Sequence, residues 1–288
     1  MIEIGPYQIH AIETGRFKLD GGAMFGVVPR TLWERQAPPD ELNRIPMSMR
    51  SLLAIDRAAG RVILVDSGAG NKWTPEQVTR FAFEIEGAPL GAGLRRHGLA
   101  DEDVTDVIMT HLHFDHNGGL TLWEDAEAKK AIPRFPNAKH WIHEDHLAHA
   151  QAPTQKDRAS FIAEDYEPLI AAGLLEVLSG ERPASPFPGV SWFMAHGHTP
   201  CQMLPRFSDD HSCLQYVADL IPTTAHLPIP WVMAYDNEPL RTMTEKREIL
   251  RDCAEKDLML FFEHDPEVAA ARIDTSGKRP VVLETIAC

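Results

Sequence analysis

Thr110-His111-Leu112-His113-Phe114-Asp115-His116-Asn117-Gly118-Gly119 packs four potential metal ligands into six residues, directly behind the apolar run Val104 to Met109. The run predicts a short buried strand, and groups delivered at a strand's C-terminal end are held by a rigid sheet, where open sheets tend to place their sites. His111 and His113 are two apart, so on an extended segment they project to the same side and can share one metal. Asp115 and His116 need the chain to turn, which an Asp opening a helix favours, and they would serve a second metal. Gly118 and Gly119 then permit tight backbone packing under the site or close approach of a substrate. A polar turn without chemistry is the bland alternative, but His-X-His-X-Asp-His behind the strand it requires is a specific pattern.

Period-two alternation over Tyr7 to Glu13 predicts a half-buried strand. Asp20 to Pro29, with glycines bracketing Met24 and Phe25, reads as a loop that walls a pocket or, equally, places apolar side chains in core. Met49 to Ile55 and Arg61 to Val65 read as strands joined by a hairpin at Ala59-Gly60. The second ends at Asp66, which either caps a turn or accepts the free N–H of a metal-ligating histidine. From Ala88 to Leu94 the glycines Gly91 and Gly93 leave helix boundaries open. A polar, helix-like stretch is expected from 121, then a strand over Ala138 to His143, a helix over Glu144 to Ala150, and a polar helical insertion up to Gly180. Residues 144 to 180 could form a lid on a single domain spanning 1 to 288.

Three further apolar runs end in polar residues. Val190 to Met194 leads to His196-Gly197-His198, Cys213 to Ala218 to Asp219, and Leu258 to Phe262 to Glu263-His264. Four strands each offering a ligand at the C-terminal end is the strongest argument in the sequence for one composite site. His140, His143, His146 and His149 also recur every three residues, but the period crosses a strand-to-helix change. The four need not share a face, and solvated or helix-capping histidines are the simpler reading.

Composition narrows the classes of function. With 44% hydrophobic and 24% charged residues the chain is an ordinary globular protein, and no apolar run approaches the roughly 20 residues that cross a bilayer. The N-terminus lacks a basic segment followed by an apolar one, so a cytoplasmic location is expected. Cys201, Cys213, Cys253 and Cys288 lack paired spacing and read as reduced thiols. A formal charge of −14 would repel a phosphate backbone, which excludes nucleic acid as a natural partner.

His111-Leu112-His113-Phe114-Asp115-His116 and Gly197-His198-Thr199, each behind its strand, resemble the metallo-β-lactamase superfamily of hydrolases over most of the chain. The resemblance implies an αββα sandwich, two mixed β-sheets face to face with helices outside, and metals at one edge. It implies that His111, His113 and His198 hold a first metal, that Asp115, His116 and His264 hold a second, and that Asp219 bridges them, with Asp66 behind the ligands. The glycine usual after the third-histidine motif is replaced by Cys201, which puts the shape of that loop in question. His196 is the nearby rival to His198. Asp20 to Pro29 and Asp219 to His226 narrow the resemblance to the quorum-quenching N-acyl-homoserine lactonase branch and its organophosphate-hydrolase neighbours. That branch has a tyrosine three residues after the bridging aspartate, where Pro222 stands here. His226 could replace it by donating to substrate, or could simply anchor its loop.

The expectation is a dinuclear hydrolase opening a lactone by attack of a hydroxide held between two divalent ions, most simply Zn2+, with Mn, Co or Fe as alternatives. Asp115 would shuttle the proton or serve as ligand only. An acyl chain would lie against Met24, Phe25 and Trp33. A phosphotriester, aryl ester or β-lactam on the same site is the first rival, and an iron-dependent oxidoreductase on the same fold the second. The resemblance also suggests a homodimer.

Overall fold

The computed structural model describes residues 1–87 and 89–288, so Ala88, where the sequence leaves a helix boundary open, lies outside the described residues. Strands β1 (Ile2–Ile4) and β2 (Tyr7–Asp20) lead to two short helices, α1 (Gly21–Phe25) and α2 (Arg30–Trp33), and then to β3 (Arg44–Asp56) and β4 (Arg61–Val65). Helices α3 (Pro75–Phe81) and α4 (Pro89–Arg96) precede β5 (Asp106–Ile108) and the one-turn α5 (Phe114–Asn117). A hairpin, β6 (Thr121–Asp125) with β7 (Lys130–Pro133), is followed by β8 (Lys139–His143), α6 (Glu144–Gln151), α7 (Ala163–Ala171) and β9 (Leu175–Leu178). The second half adds β10 (Val190–Ala195), β11 (Gln202–Ser208), β12 (Cys213–Tyr216), α8 (Pro239–Lys256), β13 (Met259–Phe261), β14 (Ala270–Asp274) and β15 (Val281–Ile286).

These strands form a seven-stranded sheet in the order β1-β2-β3-β4-β5-β8-β9 and a six-stranded sheet in the order β10 to β15. Both are mixed: β4, β5, β8 and β9 run parallel, as do β12 and β13, while the other pairings are antiparallel. Alternation along β3 shows why the sheets stack. Leu52 and Ala54 meet Met203, Leu214 and Phe261 of the other sheet, while Leu53 and Ile55 face outward under Leu90, Leu94 and Leu169 of the helices. A strand covered on both faces reads as a continuous apolar run, which is what Leu52 to Ile55 is. The result is the αββα sandwich.

Two sequence expectations change. The stretch from 121 is a β-hairpin, because Thr121, Leu122 and Trp123 pair across to Pro133, Ile132 and Ala131. Asp20 to Pro29 is not all loop: the Asp20 carboxylate accepts the Ala23 amide at 2.8 Å and caps α1, an N-cap that satisfies an otherwise orphaned donor. The four regularly spaced histidines do not converge. His143 caps α6, while His140, His143 and His146 are buried rather than solvated.

Candidate metal centre

The composite site is assembled from strand ends at one edge of the sandwich. The chain leaving β5 carries His111 and His113 and turns through α5, which holds Asp115 in its first turn and His116 after it. The turn closes tightly because Gly118 and Gly119 rest on the carbonyls of Ala69 and Ser67, where any Cβ would collide. β10, β12 and β13 deliver His198, Asp219 and His264, and all seven side chains are buried.

They fall into two groups that share Asp219. In the first, His113 Nδ1 lies 3.1 Å from both His111 Nε2 and His198 Nε2, and Asp219 Oδ2 lies 3.0 Å from His198 Nε2. In the second, His116 Nε2 and His264 Nε2 are 3.2 Å apart, Asp219 Oδ1 is 3.3 and 3.1 Å from them, and Asp115 Oδ2 is 3.7 Å from His264 Nε2. One carboxylate therefore turns an oxygen to each triad.

Proton placement shows what these groups require. His198 Nδ1 donates to Asp236 Oδ1 at 3.0 Å, and His264 Nδ1 donates to the Ser48 carbonyl at 2.9 Å. His116 Nδ1 faces Asp66 Oδ2 at 3.1 Å and Glu263 Oε2 at 2.8 Å. Thr110 Oγ1 donates to Asp66 Oδ2 at 2.7 Å and so must accept from His111 Nδ1 at 2.9 Å. In these four rings, when neutral, the proton points outward, leaving a lone pair on Nε2 aimed at other lone pairs or at carboxylate oxygens, while His113 turns Nδ1 inward instead. Outward donation to a carboxylate, hydroxyl or carbonyl is how metal-ligating histidines are oriented. Buried lone pairs converging without a proton between them are unfavourable unless a cation fills the gap. Ligand atoms at tetrahedral corners about 2 Å from a metal lie about 3.3 Å apart, close to the spacings in both groups. The donor set thus fits divalent cations.

The charges are arranged accordingly. Burial pulls the His198 and His264 imidazoles down, but Asp219 outweighs it and raises them to about 9 and about 8. His111 and His113 are held well below the usual range by burial and by neighbouring imidazoles. Asp219, although burial opposes its ionisation, is kept well below the ordinary carboxylate range by His116, His198 and His264.

Asp66 takes the supporting place expected of it: it also accepts the Thr110 amide at 2.8 Å, so it steadies a histidine in each group, through Thr110 for His111 and directly for His116. Other supporting residues were not singled out in the sequence. Glu263, pushed up to about 7 by burial, accepts from Tyr216 Oη at 2.6 Å. Its position beside His264 was the available signal. Asp236 had none, since it reaches His198 from a loop 38 residues away. His146 Nε2 accepts the Leu112 amide and its Nδ1 donates to the Pro200 carbonyl, both at 2.8 Å, so one imidazole ties the two histidine loops together.

Above the groups lies a cavity of about 260 Å³ walled by Leu19, Met24, Met47, Phe81, Phe114 and Met233, with Lys156 and Tyr235 at its polar side. Met24 takes the expected place. Phe25 and Trp33 do not: they are fully buried and stacked 5.2 Å apart behind the wall. His226 is likewise not a substrate contact. Its ring stacks on Phe25 at 4.5 Å, its Nε2 donates to the Met24 carbonyl at 2.8 Å, and its Nδ1 accepts from Thr223 Oγ1 at 2.8 Å. Burial lowers it to about 3, so it stays neutral and anchors the loop. His196 stays outside both groups, its Nδ1 accepting the Cys201 amide at 3.2 Å.

A family model described as the metallo-beta-lactamase superfamily matches residues 51–252. No curated protein matches the chain. Among solved structures, a probable metal-dependent hydrolase from Staphylococcus aureus is 28% identical with a TM-score of 0.87, covering 99% of this chain and 100% of its own. AidC, a dizinc quorum-quenching lactonase in complex with a product, is 19% identical with a TM-score of 0.78, covering 100% and 97%. AbOPH, a hydrolase in the beta lactamase superfamily, is 18% identical with a TM-score of 0.78, covering 100% and 96%.

Proposed function

Because the chain belongs to the metallo-β-lactamase superfamily and is a metal-dependent hydrolase, we propose that it opens lactones bearing an acyl chain, N-acyl-homoserine lactones being the leading class. The observation that carries this reading is the apolar cavity that opens directly onto the histidine and aspartate floor. His111, His113 and His198 would hold one divalent ion, Asp115, His116 and His264 the other, and Asp219 would reach both. When bound, such ions supply Lewis acidity to polarise the ester carbonyl and make water nucleophilic at neutral pH.

The chain's own groups do the rest. Leu19, Met24, Met47 and Phe81 offer an apolar bed for the acyl chain. Asp115 lies at the cavity floor beside His264, placed to carry a proton to the departing alkoxide. Tyr235 takes the role left open by Pro222. Its phenol is pushed up to about 12 by burial and by Asp115, so it is a neutral donor at physiological pH, turned to the substrate side. Lys156 Nζ donates to the Tyr235 and Asp236 carbonyls at 2.7 and 2.9 Å, which steadies that tyrosine and closes the cavity's flank with Asp157, Ala159 and Ser160.

The test is a substrate panel on protein of measured metal content. Acyl-homoserine lactones of increasing chain length should be opened, with KM falling as the chain grows. Efficient turnover of a phosphotriester or aryl ester with lactones left intact would move the assignment to that class.

A further inference from the structure

A second set of metal-ligating side chains lies on the far side of the loop that carries His198. We propose that His143, Asp145 and Cys201 form a separate, sulfur-containing site for a soft divalent cation of the Zn2+ class. The three come from different elements. His143 ends β8, Asp145 stands in the first turn of α6, and Cys201 precedes β11. Their ligand atoms lie within 4.8 Å of one another. Asp145 Oδ2 is 3.7 Å from Cys201 Sγ and 3.8 Å from His143 Nδ1, and His196 Nδ1 lies 3.6 Å from Sγ. Around zinc, with Zn–S about 2.3 Å and Zn–N or Zn–O about 2.0 Å, tetrahedral ligands sit about 3.3–3.5 Å apart. The cluster therefore needs to contract by only a few tenths of an ångström along these edges.

The imidazole is already oriented for the task. His143 Nε2 donates to the Gly180 carbonyl at 3.0 Å, which fixes the tautomer and leaves the Nδ1 lone pair on the cluster side, the arrangement typical of metal-binding histidines. That lone pair accepts only a long 3.2 Å contact from the Asp145 amide. The Asp145 carboxylate is 69% exposed and free to swing. Glu144, Glu245 and Glu248 line the same groove and give it negative character, with Arg182 and Arg241 in partial opposition. Cys201 itself has φ 55°, a left-handed backbone that disfavours a side chain relative to glycine. A thiol is thus kept at a position that favours glycine.

Binding is an exchange without redox change. The Cys201 S–H bond breaks, its proton leaves to solvent, and the sulfur donates its electron pair to the cation. Asp145 and His143 contribute the remaining pairs without losing protons. The cation would join β8 and α6 on the first sheet to residues 195–201 on the second, immediately behind the Pro200 carbonyl held by His146.

Sulfur makes the site separable from the His/Asp centre, which has only nitrogen and oxygen donors. The full-length protein, stripped by chelation, is titrated with Co2+ while near-ultraviolet absorption and bound metal are followed. A thiolate-to-cobalt charge-transfer band should accompany one equivalent beyond those filling the His/Asp centre. In Cys201→Gly, which suits the left-handed backbone, that band and that equivalent should vanish while the d–d bands of the first equivalents and hydrolysis are retained. Asp145→Asn should weaken the extra equivalent at least tenfold. Absence of the band in the native protein, or its persistence in Cys201→Gly through another cysteine, overturns the proposal.

Discussion

Asp219 and Met24 face the same cavity but are held in place by different means. Asp219 sits in a floor held by directed polar contacts: imidazole protons go outward to Asp66, Asp236, Ser48 and Thr110, and lone pairs point inward. Met24 sits in a wall whose shape is set from behind. Asp20 caps its helix, and His226 holds its carbonyl while stacking on Phe25. Lys246, fully buried, donates to the carbonyls of His226, Pro228 and Trp231 at 2.5, 2.9 and 2.8 Å. Three acceptors at that range call for the ammonium form, although burial draws its affinity for a proton down to about 7. The floor is specified by charge and cannot be altered without changing chemistry. The wall is specified by packing and anchoring, so it can vary while the floor stays constant.

The largest expected effect comes from the floor. Asp219→Ala should lower the metal content and reduce kcat by about 10²–10³-fold or more, the scale of losing a principal charge-stabilising group; metal analysis with kinetics checks both. Asp219→Ala with full metal content and activity would show that the floor tolerates change as the wall does. Lys246→Met attacks the wall from behind by leaving three carbonyls unpaired. It should destabilise the fold by about 2–3 kcal/mol in denaturant titration, raise KM for long-chain substrates and leave metal content unchanged.

His226→Ala separates anchoring from catalysis. It removes two buried hydrogen bonds at a cost of about 1–3 kcal/mol, and the acidic limb of the kcat/KM profile should not move, since this imidazole, lowered to about 3, stays neutral across the working range. A shifted limb would return His226 to the reaction. Tyr235→Phe should lower kcat/KM by about 3- to 10-fold, the value of one neutral hydrogen bond, with stability preserved. Met24→Ala gives the smallest change. It should weaken binding of a long acyl chain by about 1–2 kcal/mol and a short one by much less, in line with about 0.8 kcal/mol per buried methylene.

The same contrast governs what could be read in advance. His111, His113, Asp115 and His116 were legible because their spacing is local: a strand followed by one helical turn fixes where four side chains point. His198, Asp219 and His264 were legible because each follows its own apolar run. Phe25, Trp33 and His226 are not separable into wall and core by sequence, because pocket wall and core place the same demands on apolar and aromatic residues. Only burial by the neighbouring segment 223–233 decides between them. The hairpin from 121 was missed because its polar composition carries little of the alternation that marks a buried strand.

The local spacing of His111 to His116 and the apolar runs before His198, Asp219 and His264 were readable from sequence alone, and the family resemblance those motifs carry implied the fold class, the hydrolase family and the residues that converge. Tertiary structure alone decided the direction of each proton on the ligand histidines, because Asp236, Glu263 and Ser48 arrive from distant segments. It also decided which side chains face the cavity, and it brought His143, Asp145 and Cys201 together across two sheets. Hydrogen bonds and burial depend on what the rest of the chain places nearby, and no local pattern encodes that.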